Sequence, residues 1–276
     1  MTHSDIDRHY TRLDLYETIV QAILKSGISL DEVNDHQLSR VDAFHLRGLE
    51  ATAELAEMVG FSPHENVLDV GCGIGGACRY IQSNYGCQVT GIDLTEEYVL
   101  TAGKLSDLVG QTDINFVCGS ALSMPFKDAV FDVVWTQHVQ MNIEDKWQFY
   151  GEIKRVLKPG GRLVYYDILK GENPLPLYFP VPWANEATLS YLIEPEALAR
   201  ILEDLQFKPV TVENTREVAL DYTRELIEKR ITQEIPSIGL NLLMGSDTLL
   251  KLRNVLRSLE EGRISVYSGV WTKGNS

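Results

Sequence analysis

The sequence predicts an α/β chain: a doubly wound, seven-stranded, mostly parallel sheet, with a helical extension at the N-terminus and a late helical insertion before the last strand. Three observations predict it. Short apolar, β-rich runs alternate with stretches of helical periodicity from about residue 66 onward, which implies right-handed βαβ units. The first of these runs ends in a glycine-rich turn that opens onto a helix, the place where doubly wound sheets bind ligands. Before and after the alternation lie two long stretches whose apolar periodicity is purely helical.

From about Asp5 to Gly60 the pattern is helical. Leu13, Tyr16, Ile19, Val20, Ile23 and Leu24 recur at three- and four-residue steps until Gly27, and a second helix is expected over 44–59, closed by Gly60 with Pro63 beyond. Strands follow at 66–70, 88–92, 114–117, 130–135 and 162–166, with helices at 96–109 and 144–157 between them. Pro159, Gly160 and Gly161 form a breaker between a helix and the next strand. An aromatic, proline-rich segment occupies 174–183, and a helix at 195–205 and a strand at 209–213 resume the alternation. The helical stretch 218–259 then precedes a last strand at 264–272. The organisation expected is an extension over 1–60 and a main domain over 61–276, with 171–193 and 217–260 as additions on one side of it.

Composition narrows the function. Lys plus Arg number 25 against 39 Asp plus Glu, a formal charge of −14, with the cations scattered among acids, as in the helical pair Glu225 and Lys229. Such a chain repels nucleic acid and anionic lipid, so neither is an expected partner. The four cysteines, Cys72, Cys78, Cys87 and Cys118, have no C-x-x-C spacing and no histidine cluster, so no metal and no disulfide framework is expected. Residues Met1 to Asp5 are polar and no run of eighteen apolar residues occurs, so the expectation is a cytoplasmic chain without membrane insertion.

The most informative stretch runs from Val67 to Gly76 and reads VLDVGCGIGG. Glycines at Gly71 and Gly73 let the backbone approach a ligand with no Cβ in the way. Gly71, Gly73 and Gly76 also satisfy the dinucleotide fingerprint, but Asp69 at the strand's end suits a positively charged ligand and is awkward beside a pyrophosphate. At the tip of the second strand, Asp93 is placed to accept hydrogen bonds from both hydroxyls of a ribose. A helix cap ahead of Thr95, Glu96 and Glu97 is the alternative reading of the same acid.

In these motifs, and in GIDL at 91–94, PFKD at 125–128, FDVVW at 131–135 and RVLKPGGR at 155–162, the chain resembles the class I S-adenosylmethionine-dependent methyltransferases. The resemblance covers roughly 65–272 and is strongest to a small-molecule group that includes sarcosine/dimethylglycine, ubiquinone-type and tocopherol-type methyltransferases. It implies a Rossmann-like fold, S-adenosylmethionine as cofactor and S-adenosylhomocysteine as product, with Asp69, Gly71 and Gly73 beside the methionine moiety. Asp93 would hold the ribose and Leu94 would pack on the adenine. Where the family usually shows Gly-Asp-Ala after the third strand, this chain has Gly119, Ser120 and Ala121. The hydroxyl of Ser120 is a weaker acceptor for the adenine amino group than a carboxylate, which shifts weight to the backbone amide of Ala121.

The segment WTQHVQMN, 135–142, follows the fourth strand, where these enzymes place residues between cofactor and acceptor. Gln137 is expected nearest the cofactor. His138 is the candidate general base, because an unperturbed imidazole takes a proton near neutral pH. Asp128 and Asp132 read as turn and structural acids. In the extension, Phe44, His45 and Arg47 cluster at an expected helix start, and related extensions fold over the cofactor. Arg47 either faces the methionine carboxylate or is a solvated helix charge. His45, Asn142 and Trp183 are the candidate acceptor contacts, Trp183 as part of an aromatic wall with Tyr178 and Phe179.

The expected reaction is methyl transfer to the N, O or C of a small-molecule acceptor by in-line displacement, with no metal. A nicotinamide-dependent oxidoreductase is the alternative enzyme. Tyr166 and Lys170 mimic a reductase pair, but Tyr166 ends an expected strand, whereas that pair needs a helical turn between its members. A non-catalytic S-adenosylmethionine-binding protein is a third reading. Oligomeric state is open, a homodimer included.

Overall fold

The computed structural model describes residues 14–232 and 237–274. Leu13 and the helical pattern expected from Asp5, together with the polar residues Met1 to Asp5, lie outside them. The chain enters through α1 (Leu15–Lys25), α2 (Asp35–Asp42) and α3 (Gly48–Val59). The alternation then runs β1 (Asn66–Val70), α4 (Gly76–Tyr85), β2 (Gln88–Asp93), α5 (Glu96–Leu108), β3 (Asn115–Cys118), β4 (Phe131–Gln137), α6 (Lys146–Val156) and β5 (Leu157–Lys170). It closes with α7 (Pro195–Asp204), β6 (Phe207–Asn214), the helices α8 (Arg216–Thr232), α9 (Asn241–Met244) and α10 (Thr248–Glu260), and β7 (Ile264–Lys273).

The seven strands lie in the order β3-β2-β1-β4-β5-β7-β6. All neighbours are parallel except β7, which is antiparallel to both β5 and β6. The order reverses between β1 and β4, and the crevice beyond their carboxyl ends is where such a sheet takes a ligand. Both central strands are buried on two faces, which explains their unbroken apolar character: Val67, Leu68, Val133, Val134 and Trp135 are all inaccessible. One face packs Trp135 with Cys78, Ile81 and Leu55, the other packs Leu68 and Val134 with Phe149 and Ile153.

Three expectations change in detail. The helix expected over 44–59 begins at Gly48, because Arg47 (φ 65°) and Gly48 (φ 50°) are both left-handed, and this leaves Phe44, His45 and Leu46 in a turn. Among the described residues the stretch 218–259 holds three helices, the last two parted where Gly245 takes φ 83°. Strand β5 runs well past 162–166 in both directions, passing the glycine pair through a register shift against β4. Tyr166 and Lys170 therefore share one strand, so no helical turn separates them.

The two additions meet above the sheet. Phe44 from the extension packs with Ile227, Met244 and Leu252 of the insertion. Helix α2 starts in a capping box between Asn34 and Gln37 and ends at Asp42, which is held by the buried Arg79 of α4 at 2.7 Å. No helix among the described residues is long and apolar enough to cross a membrane.

Candidate active site

A cavity of about 830 Å³ lies beyond the carboxyl ends of β1, β2 and β4, a volume within the range of small-molecule sites. Among its lining residues are Asp69, Gly71, Gly73, Asp93, Leu94, Ser120, Ala121, Gln137, His138, His45, Asn142 and Trp183. Arg47 is not among them.

The glycine turn is shaped by close approach. Gly71, at φ 73°, lies so near Val139 that a Cβ would sit 2.3 Å from a γ-carbon of that valine. Gly73, at φ 54°, has open space where its Cβ would be. Asp93 ties the turn to the tip of β2: one carboxylate oxygen accepts the amide of Gly73 at 2.9 Å and the other that of Thr95 at 2.9 Å. The cap-like bond to Thr95 thus exists, and each oxygen keeps a lone pair for a further donor. Burial pushes the Asp93 carboxyl above its ordinary range. Asp69 is buried, accepts the thiol of Cys78 at 3.2 Å, and is pushed by burial up to about 7. At the tip of β3, the hydroxyl oxygen of Ser120 accepts the amide of Leu122 at 3.1 Å, closing a turn under the adenine side expected from the sequence.

These residues suit S-adenosylmethionine. The empty Cβ space at Gly73 is a backbone cradle, Asp93 offers two oxygens at the edge of β2, and Asp69 supplies negative charge for a cationic ligand.

Past β4 the backbone turns sharply at His138, which takes φ 54°. Its amide donates to the carbonyl of Tyr166 at 2.8 Å and its ring stacks on that tyrosine at 5.3 Å. His138 Nε2 is buried without a hydrogen-bond partner among the described residues. Burial, reinforced by His45 nearby, holds its pKa well below the usual 6.5, so the imidazole is neutral at pH 7 rather than titrating near neutrality. His45, with ring centroids 5.9 Å from His138, is also lowered by burial, to about 4. Its Nε2 faces the carbonyl of Gly48 at 2.9 Å, and the amide of Gln137 stands 3.3 Å away. Gln137 Oε1 in turn accepts from Trp135 Nε1 at 3.1 Å and from Thr52 at 3.2 Å.

Two candidate acceptor contacts serve the wall itself. Asn142 donates to the carbonyls of Trp183 and Leu189, and Trp183 Nε1 donates to Ser190 at 2.9 Å, so the indole presents only its apolar surface. Arg47 corrects both of its readings. It is buried rather than solvated, and its guanidinium forms a two-pronged pair with Glu54, at 2.7 Å and 2.5 Å, away from the cavity. Asp128 pairs with Arg155 and Asp132 with Lys158, both remote from the cavity lining.

The sequence reading missed Asp167 and Lys146. Asp167 is fully buried in β5 and accepts the amide of Val139 at 2.9 Å; burial pushes it up to about 8. Lys146, lowered by burial to about 7, donates to the carbonyls of Gln140 and Ile143. Together they clamp 139–143 from below. The available signal was a carboxylate inside the apolar run 163–169, since a charge there needs partners.

Residues 68–165 match the family model of a methyltransferase domain, which places the glycine turn, Asp93 and His138 within that domain. Sterol 24-C-methyltransferase ERG6B of Gibberella zeae is 40% identical over 116 residues, 42% of this chain and 30% of that protein. Sarcosine/dimethylglycine N-methyltransferase of Halorhodospira halochloris is 29% identical over 207 residues, 74% of this chain and 73% of the relative. The geranyl diphosphate C-methyltransferase of Streptomyces coelicolor, solved with Mg²⁺, geranyl diphosphate and S-adenosyl-L-homocysteine, superposes with a TM-score of 0.66 at 18% identity. That superposition covers 82% of this chain and 80% of the other and shows a shared fold. The matches to the first curated relatives span only 28% to 42% of those proteins' own lengths.

Proposed function

We propose that this chain transfers the methyl group of S-adenosylmethionine to the N, O or C of a small-molecule acceptor. The observation that carries this reading is the convergence of Asp69, Gly71, Gly73 and Asp93, from two adjacent strand tips, on the cavity that His138 also faces. When bound, the cofactor supplies a methyl already activated by its sulfonium, so the protein needs no nucleophile of its own.

Asp93 and the open face at Gly73 hold the ribose side, with Leu94, Ser120 and Ala121 around the adenine. Asp69 favours the positive charge of the methionine end. Arg47 is left out of this set. In the expected division at 60/61, the described residues of the extension, from 14 to 60, cover the site, while 171–193 and the described residues of 217–260 wall the acceptor side of the main domain, excluding water and fixing the acceptor's approach. His138, neutral at pH 7, accepts a proton at Nε2 when the acceptor is a hydroxyl or a carbon acid, in the tautomer that leaves Nε2 unprotonated. With an amine acceptor it only orients.

A nicotinamide-dependent oxidoreductase fits less well: Asp69 would abut the pyrophosphate, and Tyr166 and Lys170 lie along one strand. A cytoplasmic setting is part of the proposal, supported by four free cysteines. The test is thermal shift. S-adenosylhomocysteine should raise the melting temperature and NADH should not. Asp93→Ala should weaken S-adenosylhomocysteine binding at least about tenfold, the scale of one charge-assisted hydrogen bond. Stabilisation by NADH alone would overturn the reading.

A further inference from the structure

Opposite the strand tips, the cavity is walled by Leu226, Leu240, Met244, Leu252 and Val255 of the insertion and by Trp183. Its charges are one-sided. Lys146 is the single cation among the described lining residues, and its ammonium is engaged with the Gln140 and Ile143 carbonyls and attracted to the buried Asp167. Asp42, Asp69, Asp93, Glu144 and Asp145 line the same space. Arg47 lies outside it, paired with Glu54. The polar side chains near the wall are also occupied: Asn142 by two carbonyls, the Trp183 indole by Ser190, and Gln137 by Trp135, Thr52 and His45. Among the described lining residues, His138 Nε2 alone is buried without a hydrogen-bond partner.

We propose that the acceptor is an uncharged, mainly hydrocarbon molecule with a single polar group at its methyl-receiving end, and that the site discriminates against acceptors carrying a carboxylate or phosphate. The inference rests on the methyl-transfer reading and narrows its substrate class. An anionic acceptor would leave water for an acid-lined, apolar space in which no described side chain offers an unengaged cation, a cost that only a paired cation would offset. A hydrocarbon body gains from burial against the insertion, and one polar group suffices for the one unpartnered nitrogen. The reaction itself is unchanged: the acceptor atom bonds the methyl carbon, the carbon–sulfur bond's electron pair stays on sulfur, and a displaced proton goes to His138.

The test uses two probes with the same hydrocarbon and different charge. With the full chain saturated in S-adenosylhomocysteine, the neutral dye Nile red is titrated to a single-site fluorescence increase. It is then displaced by geraniol or by geranyl diphosphate, with and without Mg²⁺. Geraniol should displace it at least tenfold more effectively in either buffer. Leu226→Arg, at a half-buried lining position on α8, should narrow or invert that preference by adding the missing cation. Equal or better displacement by the diphosphate in the wild type, or no displacement by geraniol, overturns the proposal. If S-adenosylhomocysteine itself fails to stabilise the chain, the methyl-transfer reading fails first and separately, and this proposal falls with it.

Discussion

The contact between Gly71 and Val139 gives the cofactor turn its sharpest test. Gly71→Ala places a methyl 2.3 Å from one γ-carbon of Val139 and 3.1 Å from the other, at a backbone φ of 73°. The left-handed conformation costs an L-residue about 1–2 kcal/mol. The overlap adds about 1–3 kcal/mol, the usual range for an extra carbon in a packed site. Neither partner retreats easily: Gly71's amide is bound to the Ile92 carbonyl at 2.8 Å, and Val139's amide to Asp167 at 2.9 Å. The variant should therefore lose about 2–5 kcal/mol in urea unfolding and bind S-adenosylhomocysteine at least tenfold more weakly by calorimetry. Val139→Ala removes both clashing carbons but not the backbone strain. In a double-mutant cycle it should recover about 1–3 kcal/mol of the Gly71→Ala loss. A coupling energy within about 0.5 kcal/mol of zero, the limit for independent sites, would refute close approach as the reason for glycine here.

Further outcomes follow from the same geometry. His138→Ala should cut turnover by about 10²–10⁴-fold on a hydroxyl or carbon-acid acceptor while leaving S-adenosylhomocysteine affinity nearly unchanged; on an amine it should raise KM instead. Arg79→Ala should cost about 3–5 kcal/mol in denaturant unfolding, because the guanidinium that holds buried Asp42 at 2.7 Å is lost; Asp42→Asn in that background should recover part of it. Asp69, raised to about 7, holds a proton in the folded chain that the unfolded chain releases near 3.8. Its contribution is thus present below about pH 3.8 and lost as the pH rises through 7. Asp69→Asn, which mimics the protonated form, should gain on the wild type from about pH 4 to 7 in a pH series of unfolding curves and hold that margin above. A wild-type margin that grows with pH would contradict the burial of this carboxylate.

What was legible in the sequence was whatever repeats locally. The strand runs, the glycine turn and the acid after β2 sit in consecutive residues whose period and order force the sheet, so the sequence alone put Asp69, Gly71, Gly73 and Asp93 at the strand tips that the cavity adjoins. Arg47 was not legible, because its neighbours suggested a helix start. Only the left-handed turn at Arg47 and Gly48 shows that the guanidinium meets Glu54 one side of α3 away from the cavity. Asn142 and Trp183 were assigned to the acceptor on position, and they do reach the cavity wall. The amide of Asn142, however, reaches carbonyls more than forty residues away in sequence, a pairing that no local pattern encodes, and the Trp183 indole is tied to Ser190 of its own loop. Asp167 was missed for a related reason: its partner is an amide across the sheet on the next strand's exit loop, and its sequence context is an apolar strand.

Asp167 and Lys146 also explain why the segment after β4 has a fixed shape although its regular structure is a single 3₁₀ turn, Gln140–Asn142. A loop of fixed shape must be held against the entropy of its own backbone, which costs about 1–2 kcal/mol for each residue ordered. Here the amide of His138 is bonded to β5, the amide of Val139 to Asp167, and the carbonyls of Gln140 and Ile143 to Lys146, so successive residues are tied to the sheet or to the start of α6. Burial drives Asp167 up and Lys146 down, each toward its neutral form, and their mutual attraction opposes both shifts. The same burial also lowers the pKa of His138, whose Nε2 has no partner among the described residues. Rigidity and a neutral, buried imidazole therefore go with one arrangement: an acid on β5 and a lysine at the head of α6, placed under the same five-residue turn.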